Sequence, residues 1–352
     1  MTTQPPLLEV ENLDITYRTD TNDIRAVTDA SFSIDAGEYY GLVGESGSGK
    51  STIAKALVGG LDENAEIVSG TIRFQGQEID DFSEAEFNEH VRWNEISFIP
   101  QASMDSLDPI MRITDQALEL AGTHTDWDDE TTLDRLRELF NVVGLPESRI
   151  HDYPHEFSGG MEQRALIALA LLLDPSLIVA DEPTTALDVI MQDQILQYLE
   201  EIKAEQDLSM LLITHDISVV FETCDSLSIL HGGQVAESGS ATALFDRPNH
   251  PYTHLLQQAF PDIRSPDREL QTIGGEPPQL KEDVDHCTFA DRCPWSQPEC
   301  RAESPPLELV DGTTDHHSSC IRRQELDELG EGATEEASNP ARTPLAGGQS
   351  NE

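Results

Sequence analysis

Nine consecutive residues, Gly44-Glu45-Ser46-Gly47-Ser48-Gly49-Lys50-Ser51-Thr52, have the types and spacing of an anion cradle. They satisfy the pattern G-x-x-x-x-G-K-[ST] at every fixed position. Gly44, Gly47 and Gly49 let the main chain bend around phosphate oxygens with no side chain in the way. Successive N–H groups then point inward at a helix start, where the dipole favours an anion. Lys50 supplies a mobile positive charge for β- and γ-phosphates, and the Ser51 hydroxyl is suited to ligating Mg²⁺. A flexible Gly/Ser turn would contain the same residues, but both flanks argue for the cradle. Residues 39–43 (YYGLV) read as a buried strand leading in and 53–61 (IAKALVGGL) as a helix leading out, the setting this chemistry requires.

A second group of reactive side chains follows. Leu177-Ile178-Val179-Ala180-Asp181-Glu182 is an apolar run ending in two carboxylates. A buried parallel strand with that ending delivers both carboxylates to the carboxyl edge of a sheet, where ligands bind in α/β folds. There Asp181 would hold Mg²⁺, directly or through water, and Glu182 would polarise an attacking water. Residues 210–214 (MLLIT) read as another buried strand, with His215 at its end. A histidine at a strand end is more often structural, but one at the same edge as Asp181 and Glu182 is a catalytic candidate. Between the two groups lies Ser158-Gly159-Gly160, ahead of a strongly apolar helix to Leu173. Ser158 suits an N-cap and the two glycines leave main-chain N–H groups open. Taken alone this triplet is usually just a loop; its position between the two groups makes it a second anion-binding helix start.

The elements that must position these groups are legible in outline. Residues 7–18 and 27–36 alternate apolar and polar, which predicts a small antiparallel sheet ahead of the cradle. Tyr17 ends the first of these strands; an aromatic there either stacks on an adenine ring or fills a half-buried sheet position. Residues 71–74 and 96–100 read as further strands, with Gln101 directly after the second. Residues 114–143 have a helical pattern, with Leu133, Leu136, Leu139, Phe140 and Val143 on one face, and 123–132 read as a surface loop capping that helix.

The chain has 352 residues, enough for about two domains. Its 67 acidic residues against 21 basic ones give a net charge of −46, and only four residues are lysine. Disorder is one reading of such acidity, but hydrophobic periodicity runs through most of the chain. A folded protein with an acidic surface is the other, and the lysine-poor composition resembles that of proteins from salt-loving microbes, where short screening lengths make self-repulsion tolerable. No secretory signal is visible and the longest apolar run, 165–173, is far short of a membrane span, so a cytoplasmic setting is expected.

In this order the motifs resemble those of the ATP-binding subunit of ABC transporters, over roughly residues 7–260. Residues 44–52 are similar to its Walker A loop, Gln101 to its Q-loop, Ser158-Gly159-Gly160 with Met161 and Gln163 to its signature motif, 177–182 to Walker B, Ala186-Leu187-Asp188 to its D-loop, and His215 to its switch histidine; Tyr17 falls where the adenine-stacking aromatic lies. The resemblance implies an α/β fold: a P-loop NTPase (RecA-like) core, an antiparallel β subdomain, and a helical signature subdomain at about 104–164. It implies that Mg²⁺ is held by Ser51, Gln101 and Asp181, and that Lys50, Gln101, Glu182 and His215 serve catalysis. It also implies a head-to-tail pair of cassettes in which each ATP lies between the Walker motifs of one and Ser158, Gly159 and Gly160 of the other. Glu162 departs from the pattern, standing where many relatives carry a basic residue; general acidification of the surface is the simplest explanation.

The last third narrows the resemblance. Asn249-His250-Pro251-Tyr252-Thr253 and Ile273-Gly274-Gly275-Glu276-Pro277-Pro278 look like the region that ends the cassette of dipeptide and oligopeptide importers, extending the match to about residue 322. This implies two permease subunits, a second ATPase of the same or a different kind, an external peptide-binding protein, work at the cytoplasmic face of the membrane, and no nucleic acid. Nickel is an alternative cargo in this group. ABC-type ATPases acting on DNA or in translation need a long coiled-coil insertion or a second cassette, and neither is present.

Cys287, Cys293, Cys300 and Cys320 lie in residues 261–322, expected as a small loop-rich extension. Four thiolates suit an iron–sulfur cluster or zinc, although the spacings match neither the common ferredoxin run nor paired C-x₂-C zinc sites; four ordinary thiols are the plain alternative. The peptide-importer resemblance implies a [4Fe–4S] cluster. Cys224 stands apart and reads as a core residue. Residues 323–352 are rich in Glu, Gly, Pro and Ala and read as a solvating, disordered tail.

Overall fold

The computed structural model describes residues 5–20, 22–101, 106–183, 189–206, 208–259, 273–276, 278 and 285–325. Two sheets organise them. In the first, β1 (Leu8–Tyr17) pairs antiparallel with β2 (Ile24–Ile34) on one side and with β4 (Ala65–Phe74) on the other, and β5 (Gln77–Glu78) completes the order β2-β1-β4-β5. The antiparallel sheet expected from residues 7–36 is therefore present, and it also recruits strands from beyond the cradle.

The second sheet has eight strands. β3 (Tyr39–Val43), β6 (Ile96–Ile99), β7 (Leu177–Asp181), β8 (Ser209–Thr214) and β9 (Ser226–His231) run parallel. β10 (Gln234–Ser240), β11 (Glu308–Leu309) and β12 (His317–Ser318) extend one edge antiparallel, giving the order β11-β12-β10-β9-β3-β8-β7-β6. Every residue of β3, β7 and β8 is buried, as expected for strands covered on both faces. Their side chains alternate between two cores. Val43, Ile178 and Leu212 enter one with Phe140 and Leu166; Leu42, Val179 and Leu211 enter the other with Ile15 and Ile53.

The helices are α1 (Lys50–Leu57), α2 (Glu84–His90), α3 (Ile113–His124), α4 (Asp129–Val142), α5 (Gly159–Ala170), α6 (Val189–Gln206), α7 (Ile217–Thr223), α8 (Ala241–Asp246) and α9 (Pro251–Ala259). α1 stops short of the expected residue 61, with Gly59 at φ 62° just beyond its end, a backbone that L side chains disfavour. The helical pattern of 114–143 is two helices, not one. The loop between them is shorter than expected, because the Asp128 side chain accepts from Thr131 N–H and starts α4 at residue 129. Leu136, Leu139, Phe140 and Val143 are buried as their spacing predicted, while Leu133 is half-buried. Cys224 lies in the core, as expected.

The cysteine segment is joined to the cassette through the sheet. Glu237 of β10 pairs with Ser318 of β12 and is fully buried. Its carboxylate accepts from the main-chain N–H groups of Asn249 and His250, the latter at 3.0 Å, and lies 2.7 Å from His316 Nε2. One side chain thus satisfies the chain entering α9 and anchors the segment that carries Cys320. Removing a buried acceptor leaves its donors unmatched at about 1–3 kcal/mol each. Glu237→Ala is therefore expected to lower unfolding stability by about 3 kcal/mol or more, read from urea denaturation of the full chain. A loss below about 1 kcal/mol would show that the three donors find other partners.

Candidate active site

The cradle joins β3 to α1 and is tied down from several directions. A Cβ on Gly44 would lie 2.3 Å from the Leu230 carbonyl oxygen. Gly49 has φ 102°, and a Cβ there would lie 2.4 Å from the Ala26 carbonyl oxygen. Only glycine fits at either position. Gly233 N–H donates to Ser48 O at 3.2 Å, and Glu45 N–H donates to Tyr252 Oη at 3.1 Å. Gly49 is the N-cap position of α1 and supplies no side-chain cap, so the first-turn N–H groups stay available to an anion. The Lys50 ammonium is buried and donates to Gly44 O at 2.8 Å, Glu45 O at 2.9 Å and Ser48 Oγ at 3.3 Å. Burial pushes its pKa down, against the opposing pull of Glu182, Asp181 and Glu45.

Asp181 ends β7 and is 5 % exposed. Burial pushes its carboxyl pKa up, and a hydrogen bond from Ser51 works against that. Its Oδ1 is buried and, among the described residues, has no hydrogen-bond partner. An orphaned carboxylate oxygen beside a serine hydroxyl is a donor set that fits Mg²⁺, a hard cation that takes oxygen ligands.

Glu182 comes next, with φ 47°, a left-handed backbone worth about 1–3 kcal/mol of strain in a non-glycine residue. Its N–H still donates to Ile213 O at 2.7 Å, extending the ladder between β7 and β8. Its side chain is gripped from both sides. Gln101 Nε2 donates to Oε2 at 2.8 Å, and His215 Nδ1 lies 3.2 Å from Oε1. Gln101, Glu182 and His215 lie just beyond β6, β7 and β8, which are neighbours in the sheet; their shared carboxyl edge brings together residues far apart in sequence. The hydrogen bond Gln101 makes here is through its amide nitrogen to Glu182, a contact that does not involve the amide oxygen by which the resemblance would put it on Mg²⁺.

Tyr17 is half-buried, its hydroxyl 3.4 Å from Thr52 Oγ1 and 3.3 Å from Asp62 Oδ2, so its ring sits beside the start of α1. Ser158 occupies the N-cap position of α5 but makes no side-chain cap hydrogen bond. Glu162 is buried; an acidified surface is therefore not the reason for a carboxylate there, whereas its place in the first turn suits the helix dipole. No hydrogen bond joins residues 158–160 to the cradle among the described residues. Asp188, with Ala186 and Leu187, lies outside the described residues.

The four cysteines line one small enclosed cavity with Phe289 and Trp295. None is in a disulfide. Burial pushes the Cys293 thiol up to about 11 and Cys320 up to about 12. Main-chain N–H groups already point at sulfur, Arg322 N–H to Cys320 Sγ at 3.4 Å and Gln297 N–H to Cys300 Sγ at 3.5 Å. Among the described residues no group of three or more His, Cys, Asp or Glu side chains is placed to hold a metal ion. As placed here, the four sulfurs do not converge on a metal ion, zinc or iron.

Gly233, Tyr252 and Arg292, which hold the cradle from behind, were not foreseen as site residues. The one trace of them in the sequence is that Tyr252 and Arg292 lie in the stretches singled out at 249–253 and 287–320.

Residues 27–185 match the ABC transporter family, and residues 236–300 match the oligopeptide/dipeptide transporter C-terminal region. The chain is 42 % identical to the oligopeptide transport ATP-binding protein OppD of Haemophilus influenzae, over 84 % of this chain and 92 % of that protein. It is 37 % identical to the dipeptide transport ATP-binding protein DppD of Escherichia coli, over 86 % and 93 % respectively. Among solved structures it is similar to dimeric MJ0796, a bacterial ABC transporter cassette, with 27 % identity and a TM-score of 0.60 over 66 % of this chain and 98 % of that one.

The geometry around Glu182 gives a direct expectation. Glu182→Gln keeps the volume and an acceptor for Gln101 but removes the negative charge and the proton-accepting capacity. ATP turnover should fall by about 10²–10⁴-fold while ATP binding is retained. Steady-state hydrolysis and equilibrium binding on the same preparation check this; unimpaired turnover would remove Glu182 from the role.

Proposed function

The chain belongs to the ABC transporter family, among the ATP-binding subunits of oligopeptide and dipeptide importers, and on that basis we propose how its residues do the work. It hydrolyses ATP to power peptide import through a membrane permease. It acts with permease subunits and a second ATPase subunit at the cytoplasmic face of the membrane. No helix among the described residues is long and apolar enough to cross a membrane itself.

One observation carries the mechanism: Glu182 is clamped between Gln101 and His215 at the sheet edge that also carries the cradle. The cradle N–H groups and Lys50 bind the phosphates. Ser51 and Asp181 are the residues that would hold Mg²⁺, which supplies neutralisation of phosphate charge. Glu182 orients a water and accepts its proton. His215, on the other oxygen of Glu182, faces the γ-phosphate, and Gln101 links this carboxylate to the segment beyond β6. Catalysis is positioning and electrostatics, with no covalent intermediate. Tyr17, beside Thr52, stacks on the adenine. Ser158, Gly159 and Gly160 of a second cassette complete the site; the uncommitted Ser158 hydroxyl supports this, as does the dimeric state of MJ0796. Asp188 acts across the same dimer.

The four-cysteine cavity is read as the seat of a [4Fe–4S] cluster held by Cys287, Cys293, Cys300 and Cys320. Four thiols around one cavity and N–H groups aimed at two of the sulfurs are what this reading rests on. The sulfurs would have to turn inward to ligate a cluster, since as placed they do not converge on a metal. Its contribution would be structural, cross-linking a segment with little regular structure among its described residues. Anaerobic purification should give about four iron and four sulfide per chain; substoichiometric iron, zinc and sulfide together would leave four plain thiols.

The acidic surface is read as an adaptation to high salt, where charges farther apart than about 3 Å are screened at about 1 M. Both this and the cargo are tested on the complex co-purified with its permease and peptide-binding protein. ATPase activity should rise several-fold with a mixed peptide pool, stay at its basal level with nickel or sugars, and increase between low and molar KCl. Stimulation by nickel would replace the cargo, and activity that falls with salt would remove the adaptation.

A further inference from the structure

The cysteine segment reaches the nucleotide cradle through one side chain. Arg292, next to Cys293, has a side chain only 7 % exposed. Its Nη1 donates to Glu45 Oε2 at 2.6 Å and its Nη2 to Glu45 Oε1 at 2.8 Å, while Nε donates to Gly274 O at 2.9 Å. This is the two-pronged guanidinium–carboxylate geometry that gives both strength and fixed orientation. The guanidinium lies 5.8 Å from the centre of the Phe289 ring, and Arg292 N–H donates to Phe289 O at 3.0 Å. One of these partners, Phe289, also lines the cysteine cavity.

Glu45 is held at every polar group. Its N–H donates to Tyr252 Oη, its carbonyl accepts from Lys50 Nζ, and its carboxylate is taken by Arg292. A carboxylate inside a phosphate cradle repels the anion that the cradle is shaped to receive. The cradle's own cation, Lys50, is turned to the main-chain carbonyls of Gly44 and Glu45, and the carboxylate itself is paired by Arg292.

We propose that Arg292 is a positioning residue of the ATP site: by neutralising and orienting Glu45 it sets the affinity of the cradle for nucleotide, and it makes that affinity depend on the folded cysteine segment. The proposal rests on the reading of residues 44–52 as the ATP site. Arg292 touches neither nucleotide nor water in this role; it acts through Glu45. Loss of the guanidinium leaves a carboxylate that is unpaired, partly buried and beside the bound phosphates. Removing the carboxylate as well should therefore undo much of the damage.

The test is equilibrium binding of a fluorescent ATP analogue to the full chain in molar KCl, alongside KM and kcat for ATP. Arg292→Ala should weaken binding about tenfold or more and raise KM more than it lowers kcat. Glu45→Gln alone removes the repelling carboxylate and leaves the guanidinium in place, so it should weaken binding less than Arg292→Ala does. The double variant Arg292→Ala/Glu45→Gln should bind within about threefold of the unaltered chain. A purely structural role for Arg292 predicts no such rescue. Should Arg292→Ala fail to fold, Arg292→Gln keeps a donor for Gly274 O and carries the same comparison. Unaltered ATP binding in the Arg292 variants, or no recovery on adding Glu45→Gln, overturns the proposal. An unaltered chain that binds no ATP analogue would overturn the ATP-site reading itself, which separates the two failures.

Discussion

Lys50, Asp181 and Glu182 hold opposite charges in a largely buried space at the carboxyl edge of a parallel sheet, and burial disfavours each charge on its own. The site persists because every charge has a partner built into the fold. Lys50 is met by two carbonyls and faces both carboxylates, Asp181 is met by Ser51, and Glu182 by Gln101 and His215. Such an arrangement is stable only on a rigid support. The fully buried strands β3, β7 and β8, whose alternate side chains lock into two separate cores, provide it. The one Asp181 oxygen left without a partner among the described residues is free to take a cation.

The same need for partners ties residues beyond α9 to the cradle. The cradle's main chain leans on one side against the β9–β10 turn and α9, and both are stabilised by residues C-terminal to α9. Glu237 is the junction, buried in β10 and shared between the entry to α9 and His316. Arg292 is the contact that continues to Glu45. A segment with almost no helix or long strand among its described residues thus has structural weight. Its order comes from two short strands added to a sheet edge, a shared buried carboxylate and a clustered set of cysteines, and the first two of these are anchored in the cassette.

The acidity of the chain has a different character from these buried charges. Most ion pairs here join half-exposed partners, such as Arg18 with Asp23 or Lys55 with Asp62, and pairs of that kind contribute about 0–1 kcal/mol. They spread charge over the surface without deciding the fold. Two pairs among the described residues decide geometry: Glu237 with His316, which is fully buried, and Glu45 with Arg292, whose guanidinium is buried and whose carboxylate is partly so.

The sequence by itself determined the chemistry. The places of the cradle from Gly44 to Thr52, the Asp181-Glu182 pair and His215 were legible because close spacing or an apolar run before a charge encodes position and the side-chain chemistry offered there. The parallel strands were legible for the same reason, since strands buried on both faces are unbroken apolar runs. Boundaries that depend on a single cap, such as Asp128 starting α4, were not. Nor was the burial of Glu162, because a carboxylate reads as a surface residue until its neighbours are known. The tertiary structure alone decided which distant residues meet: Gln101 on Glu182, Tyr252 and Arg292 on Glu45, and β12 on β10. Contacts of that separation leave no periodic trace in the chain. They arise from strand order and the packing of two cores, which become physical facts only once the sheet has closed.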